Sequence, residues 1–277
     1  MLIEYEFSNF RSFAEGATLS MRAGAQTTLN DNLIRRGHKR YLPSAVIYGP
    51  NASGKSNIIM SLSLMREIIL QGGIDASTPE LNELEIYPFA YDSTRKLMGF
   101  GIEFENGGKR FKYVLMLEVE PFSSKGKRKI VSEVLAMSNE KTLVPLFMRD
   151  ESKVGIQRSK PALDMLGGDE KLLGEFEERI NKNLDPMRLF LTNAFKSIVS
   201  SEIADAVIDF FRSKLVVVSD FTLKSTNLMF SMEELPDKDF VAWNRILDGF
   251  VKSADFGPQQ IVLKSKKTDD AHTAQMR

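Results

Sequence analysis

Gly49-Pro50-Asn51-Ala52-Ser53-Gly54-Lys55-Ser56 places two glycines, a lysine and a hydroxyl at fixed spacing. The run satisfies every fixed position of G-x-x-x-x-G-K-[ST], and that pattern is built to hold a polyphosphate. Gly49 and Gly54 let the chain curl without a side chain in the way. A curled loop aims successive backbone N–H groups at one point and forms a nest for phosphate oxygens. A helix starting at the end of the loop adds its unpaired N-terminal donors and its dipole. Lys55 can put a point charge on the terminal phosphates. Ser56 can offer its hydroxyl to Mg²⁺, a cation that takes hard oxygen ligands and keeps several waters. Gly49 through Asn57 are therefore the candidate nucleotide-binding residues, with Ser56 the candidate metal ligand.

The elements that must position this loop are visible on both sides. Ala45-Val46-Ile47-Tyr48 is short, apolar and β-prone, and predicts a buried strand stopping at Gly49-Pro50. Ile58, Ile59, Leu62, Met65 and Ile69 fall at helical spacing, which predicts a helix from near Lys55 to a glycine stop at Gly72-Gly73. At the N-terminus, Ile3, Tyr5 and Phe7 alternate with Glu4 and Glu6 and predict a strand. Ser8 to Ser12 then read as a turn, and residues 14–40 as short strands and loops. Phe100, Ile102 and Phe104, then Phe111, Tyr113, Leu115 and Leu117, alternate across Asn106-Gly107-Gly108 and predict a β-hairpin. Ile130–Met137 and Thr142–Met148 predict a second, with Lys125–Lys129 at a loop tip before it. Helices are expected over Asp169–Asn181, Glu202–Ser213 and Phe240–Ser253. Leu215–Val218 reads as a buried strand, Gln260–Lys264 as a short one, and Ser265–Arg277 as a frayed polar end. The expected fold class is α/β: a P-loop nucleotide-binding fold with a mixed sheet, an antiparallel β block and a helical segment. The expected divisions are an N-terminal lobe over 1–92, a β insertion over 93–150 and a mainly helical lobe over 151–277.

Composition narrows the function classes. Lys+Arg and Asp+Glu are 37 each, so no global field steers the chain toward nucleic acid or membrane. Arg35–Arg40, Lys125–Lys129 and Lys264–Lys267 are basic runs without interleaved aromatics, and read as solvated loops before they read as nucleic-acid contacts. There are no cysteines and only two histidines, His38 and His272, which excludes disulfides and thiolate metal sites and suits a cytoplasmic address. No stretch approaches the ~20 apolar residues of a membrane span, and the acidic N-terminus is unlike a secretory signal.

A P-loop cradles phosphates in kinases, GTPases and ATPases alike. Hydrolysis also needs an acidic residue at the end of a second strand to hold Mg²⁺. An apolar strand followed by Asp-Glu is absent; Val216-Val217-Val218-Ser219-Asp220 is the nearest approach. Gln71 and Gln157 are weak candidates for a metal-holding glutamine. The Asn-Lys-x-Asp box of guanine recognition is absent, and no Arg-rich lid suggests a kinase.

Met1 to Phe13, Met-Leu-Ile-Glu-Tyr-Glu-Phe-Ser-Asn-Phe-Arg-Ser-Phe, resembles the opening strand and turn of SMC, RecF-like and OLD-like ABC-type ATPases. The Asn51-Ala52-Ser53 variant of the loop is also similar to theirs. The chain further resembles a bacterial AAA/ABC group found in abortive-infection and retron-type defence loci, with softer likeness at Tyr87-Pro88-Phe89, at Glu133-Val134-Leu135 and at Ala254–Gly257. The resemblance implies a head that binds Mg-ATP and hydrolyses it on head-to-head dimerisation, with ATP and Mg²⁺ as cofactors and an effector or nuclease protein as partner. It also implies that the turn at Asn9-Phe10-Arg11 lies beside the nucleotide, with Arg11 contacting it. Such ATPases carry a Ser-Gly signature helix, an acidic strand and a switch histidine farther along, and the surroundings of His272 do not match the last. The expectation is therefore an N-terminal portion with weak or no turnover alone. The alternatives are a non-hydrolysing ATP-binding interaction module and, third, a P-loop kinase.

Overall fold

The computed structural model describes residues 1–25, 30–75, 86–92, 94–120, 128–138 and 142–218, and the backbone of 264–268 and 271–275. The chain divides into two units, Met1–Val216 and Val217–Arg277.

The first unit is built on a seven-stranded sheet of order β2-β1-β5-β6-β7-β8-β9. Its strands are β1 Leu2–Ser8, β2 Ala17–Ser20, β5 Leu97–Asn106, β6 Lys109–Val119, β7 Arg128–Ser138, β8 Leu143–Arg149 and β9 Val154–Ile156. A separate hairpin pairs β3 Ile34–Arg36 with β4 Lys39–Tyr41. Alternation in the sequence becomes alternation in space. Ile3, Tyr5 and Phe7 on β1 and Phe111, Tyr113, Leu115 and Leu117 on β6 are all buried, each stabilising the fold by about 1.5–3 kcal/mol relative to exposure. Gly107 and Gly108 have φ of 58° and 75° and join β5 to β6. That two-residue loop with both φ positive matches the right-handed twist of the flanking strands.

Helices cover one face. Helix α1, Lys55–Gln71, buries Leu62, Met65, Ile68 and Ile69. Its register on the sheet is set by Tyr5, whose hydroxyl donates to Ser61 Oγ at 3.0 Å. Gly72 ends it in the left-handed conformation, φ 77°, and returns its N–H to helix carbonyls. Next come α2 Lys160–Leu166 and α3 Glu170–Asn181, the latter capped by the Asp169 carboxylate on two backbone N–H groups. A π-helical stretch over Leu191–Val199 leads into α4 Ser201–Asp209 and a π turn over Phe210–Lys214. Phe210 stacks on Phe104 of β5 with ring centroids 4.0 Å apart.

Residues 185–191 fasten α1 to the sheet. Ile74 N–H donates to Met187 O and Leu189 N–H to Gly72 O, while Ile130 of β7 donates to Pro186 O. From β8, the Arg149 guanidinium donates to Arg188 O at 2.6 Å and Asp185 O at 2.7 Å. The Glu133 carboxylate, fully buried, accepts from Phe190 N at 2.7 Å, Leu191 N at 2.8 Å and Tyr113 Oη at 2.9 Å. Glu133 thus serves as an internal anion at the N-terminus of the π-helical stretch, with Arg149 at 3.8 Å as its counter-charge. Burial raises the Glu133 carboxyl above its ordinary value, against the opposing pull of those donors and Arg149.

Both hairpins, α1 and the helix after Asp169 lie where the sequence predicts them. Four expectations change. Every pairing among the described strands is antiparallel, so the sheet is not mixed. Ala45–Tyr48 is not a buried strand: it is irregular, with Val46 84% and Tyr48 91% exposed. Leu215–Val218 is irregular as well, with Leu215 buried and Val216 77% exposed. Apolar β-branched composition alone cannot make a strand, because its backbone groups need a neighbouring ladder. Ser265–Arg277 is not wholly frayed, since Lys264–Thr268 and Ala271–Gln275 pair as an antiparallel hairpin, β10 and β11. Phe240–Ser253, Asp220, Ala254–Gly257 and Lys125–Lys127 lie outside the described residues. The Glu202–Ser213 helix is found as α4 followed by the π turn.

Candidate functional site

The phosphate-binding pattern forms a curled loop running into a helix. Ala52 has φ 63° and Gly54 φ 91°, two left-handed residues in one short bend. Ser53 N–H donates to Pro50 O at 3.3 Å and Asn57 N–H to Gly54 O at 2.9 Å. Gly54 is the N-cap residue of α1, and no side chain caps that end. The first backbone donors of the helix are thus left for an anion. Lys55 and Ser56 are its first two residues. The Lys55 ammonium folds back over the bend and donates to Gly49 O at 2.8 Å and Pro50 O at 2.7 Å. Ser56, Asn51, Ala52 and Ser53 are exposed.

Gly54 cannot carry a side chain here. A Cβ would sit 2.7 Å from Ser12 Oγ and 3.0 Å from the Phe13 ring, in a backbone region that side chains already disfavour. The same contacts show which element braces the loop. Asn57 Nδ2 donates to Ser12 Oγ at 2.7 Å, so the turn after β1 packs directly on the start of α1. That turn is itself tightly specified. Asn9 and Arg11 both have φ 51°. Asn9 Nδ2 donates to the carbonyls of Arg95 and Leu97, and its Oδ1 accepts from Phe89 N. Phe10 and Phe13 exchange two backbone hydrogen bonds.

The structure therefore brings the turn at 9–13, the loop at 49–54 and the first residues of α1 together. Of the residues named from sequence, Gly49 to Asn57 form one continuous bend, and Arg11 adjoins Ser12, which touches it. Ser12, Phe13 and Tyr87, whose carbonyl accepts from Arg11 N at 2.9 Å, were marked only by the resemblance and given no role. Ser12 and Phe13 belong to the turn but carry no charge to draw notice, and Tyr87 comes from a segment far off in sequence.

Other candidates stand apart. Gln71 lies in the last turn of α1, at the far end from the loop, roughly 25 Å away at 1.5 Å per residue. Gln157 lies beyond β9. The basic runs are partly neutralised: Arg36 pairs with Glu105, Arg40 donates to Asn30 and Gly24, and Lys129 pairs with Glu118 and Glu151. Arg35–Arg40 is the β3–β4 hairpin, and Arg128 and Lys129 begin β7 instead of capping a loop. A cleft of about 320 Å³, lined in part by Arg179, Asn183, Arg188 and Asn193, lies beside the segment that binds the C-terminal end of α1. The phosphate-binding pattern is at the other end of that helix, so the bend and not the cleft is the candidate site.

The residues of the bend fit a magnesium–triphosphate. Uncapped helix donors, an ammonium within reach of the bend and an exposed serine hydroxyl supply the groups that phosphate oxygens and a hard cation need. Among the described residues, no group of three His, Asp or Glu side chains could hold a metal by itself. No helix among them is long and apolar enough to cross a membrane.

Residues 44–172 match the family model described as "AAA domain, putative AbiEii toxin, Type IV TA system". The match begins just before the glycine bend, takes in β5 to β9 of the sheet but not β1 or β2, and ends at the start of α3. It supports a P-loop ATP-binding domain of the AAA/ABC type over those residues. A comparison with curated proteins finds no relative.

Proposed function

We propose that this chain is the ATP-binding part of an ABC/SMC-like ATPase head that takes Mg-ATP in the bend at Gly49–Ser56 and hydrolyses it on dimerisation, within an anti-phage defence or toxin–antitoxin system. One observation carries the reading: a glycine-bounded bend with two left-handed residues opens into the uncapped N-terminus of α1, with Lys55 and Ser56 in its first turn. The family match over the same residues supports the nucleotide and the defence-system context.

In this reading the bend's N–H groups and the α1 N-terminus hold the β- and γ-phosphates. Lys55 exchanges its two carbonyl partners for phosphate oxygens, a stronger charge-assisted pairing. Ser56 ligates Mg²⁺. When bound, the ion would neutralise phosphate charge. A twofold head-to-head dimer buries the nucleotide between copies, so nucleotide binding drives association by mass action.

Isothermal titration of the chain with Mg-ATP tests the binding, and phosphate release with sedimentation at rising concentration tests turnover and dimerisation. The expected result is saturable binding that Lys55→Ala removes without lowering the thermal midpoint of the nucleotide-free protein. Binding with neither phosphate release nor dimerisation would leave an ATP-binding interaction module instead of an ATPase. Equal binding by Lys55→Ala would sink the assignment of the loop.

A further inference from the structure

Ser12 meets the phosphate bend at two points. A Cβ placed on Gly54 would stand 2.7 Å from Ser12 Oγ, so the hydroxyl lies against the N-cap residue of α1. The same oxygen accepts from Asn57 Nδ2 at 2.7 Å, across 45 residues of chain. Gly54 and Asn57 stand on either side of Lys55 and Ser56. Ser12 thus brackets the two residues whose charge and hydroxyl the pattern assigns to phosphate and Mg²⁺. The bracket is closed from within, since Asn57 N–H donates to Gly54 O at 2.9 Å. The turn that carries Ser12 is itself fixed to the sheet. Asn9 bonds the carbonyls of Arg95 and Leu97 and the N–H of Phe89. Phe10 and Phe13 exchange backbone hydrogen bonds on either side of Arg11-Ser12. The Phe13 ring comes within 3.0 Å of the same position on Gly54 and packs edge-on against buried Phe7 of β1, with centroids 4.9 Å apart. Ser12 is exposed, and removing an exposed hydroxyl changes fold stability little. Its two contacts act on the first turn of α1 and not on the core.

We infer that Ser12 is a positioning residue of the phosphate site: it holds the first turn of α1 in the orientation that presents the bend's amides, Lys55 and Ser56 to a polyphosphate. This rests on the reading of the bend as an ATP site. Donors fixed before the ligand arrives need no ordering when it binds, which strengthens binding without a new contact to the ligand. Ser12 acts through Gly54 and Asn57 and not through the nucleoside. Its effect therefore falls equally on ATP and on inorganic triphosphate.

A double-mutant cycle on the full chain tests this, read by the affinity for Mg-ATP and for magnesium tripolyphosphate. Ser12→Ala is expected to weaken both about threefold to tenfold, the size of one neutral hydrogen bond. Ser12→Thr, which keeps the hydroxyl, restores the parent's affinity. Asn57→Ala weakens binding at least as much as Ser12→Ala, and in its background Ser12→Ala has no further effect. The thermal midpoint of Ser12→Ala, measured without nucleotide, stays at that of the parent, which a merely structural role would not allow. The inference is overturned by full affinity in Ser12→Ala, by a loss in Ser12→Thr as large as that in Ser12→Ala, or by equal losses from Ser12→Ala in both backgrounds. A loss for ATP without one for tripolyphosphate, or a fall in midpoint that accompanies the loss, overturns it as well. In each of those cases removal of binding by Lys55→Ala leaves the loop assignment intact. A parent chain that binds neither ligand removes the proposed function and this inference with it.

Discussion

The antiparallel sheet and the phosphate bend are built on opposite principles. In the sheet, almost every inward side chain of β1, β5 and β6 is buried, and each strand has its hydrogen bonds met by a neighbour. Of its buried charges, Glu133 has three donors and a counter-ion. The bend sits at the end of an exposed apolar run, spans left-handed residues and leaves the start of α1 uncapped. Redundant bonding makes a rigid scaffold, whereas unspent donors make a binding site. The molecule joins the two through α1, whose N-terminus carries the candidate site and whose C-terminus is bonded to residues 185–191 and, through them, to the sheet.

The contrast breaks most severely if the scaffold proves tolerant. Glu133→Ala leaves the Arg149 guanidinium buried without its counter-charge and two N–H groups without an acceptor. The expected cost is about 3–5 kcal/mol, a fall of roughly 10 °C in thermal midpoint for a domain of this size. Denaturant unfolding checks it, and a loss under 1 kcal/mol would mean that residues 185–191 are held by packing alone. The same residue sets a pH dependence. Burial lifts the Glu133 carboxyl above its unfolded value, so the folded chain binds the proton more readily than the unfolded one. Its contribution to stability therefore declines as pH rises from the ordinary carboxylate range through the raised value. Relative to Glu133→Gln, the parent's midpoint should climb as pH falls from the raised value toward the ordinary carboxylate range; a parallel fall would reverse the assignment.

Within the site, Gly54→Ala drives a methyl group into Ser12 and Phe13 at a φ of 91°. The loop must shift, and ATP affinity should fall at least tenfold while the sheet loses about 1–2 kcal/mol or less. Titration beside thermal melting separates the two effects; unchanged affinity would show that the curl is not what binds. The smallest effect should come from the exposed run. Val46→Ser, at 84% exposure, should change stability by no more than ~0.5 kcal/mol. Ile102→Ala on β5 should cost about 2–5 kcal/mol. Comparable losses at the two sites would mean that Val46 is covered in solution.

Much of this was legible in the chain. Period-two alternation and Gly107-Gly108 specified the central hairpin, and 3.6-residue spacing with Gly72 specified α1, because both elements bury one face against a partner. The curl and the helix start after it were legible because the phosphate-binding pattern specifies residue identity at its fixed positions. Ala45–Tyr48 and Leu215–Val218 were misread, since composition reports what a strand would suit and not whether a neighbour is there to pair. The bracing of Gly54 by Ser12 and Phe13 was invisible for another reason: those contacts join residues far apart in sequence and require no unusual residue type on the turn side. Tyr87 was marked only by a family likeness, and its contact with Arg11 through a carbonyl and a ring exists only in the tertiary structure.

In the proposed function, backbone amides at 49–56 close on a triphosphate. Amide hydrogen exchange resolved by residue, with and without Mg-ATP, tests it most directly. Slowed exchange at Asn51 to Ser56 is expected on adding Mg-ATP, with no change in β5 and β6 and no slowing in Lys55→Ala. Unaltered exchange across the bend in a chain that demonstrably binds ATP would contradict it.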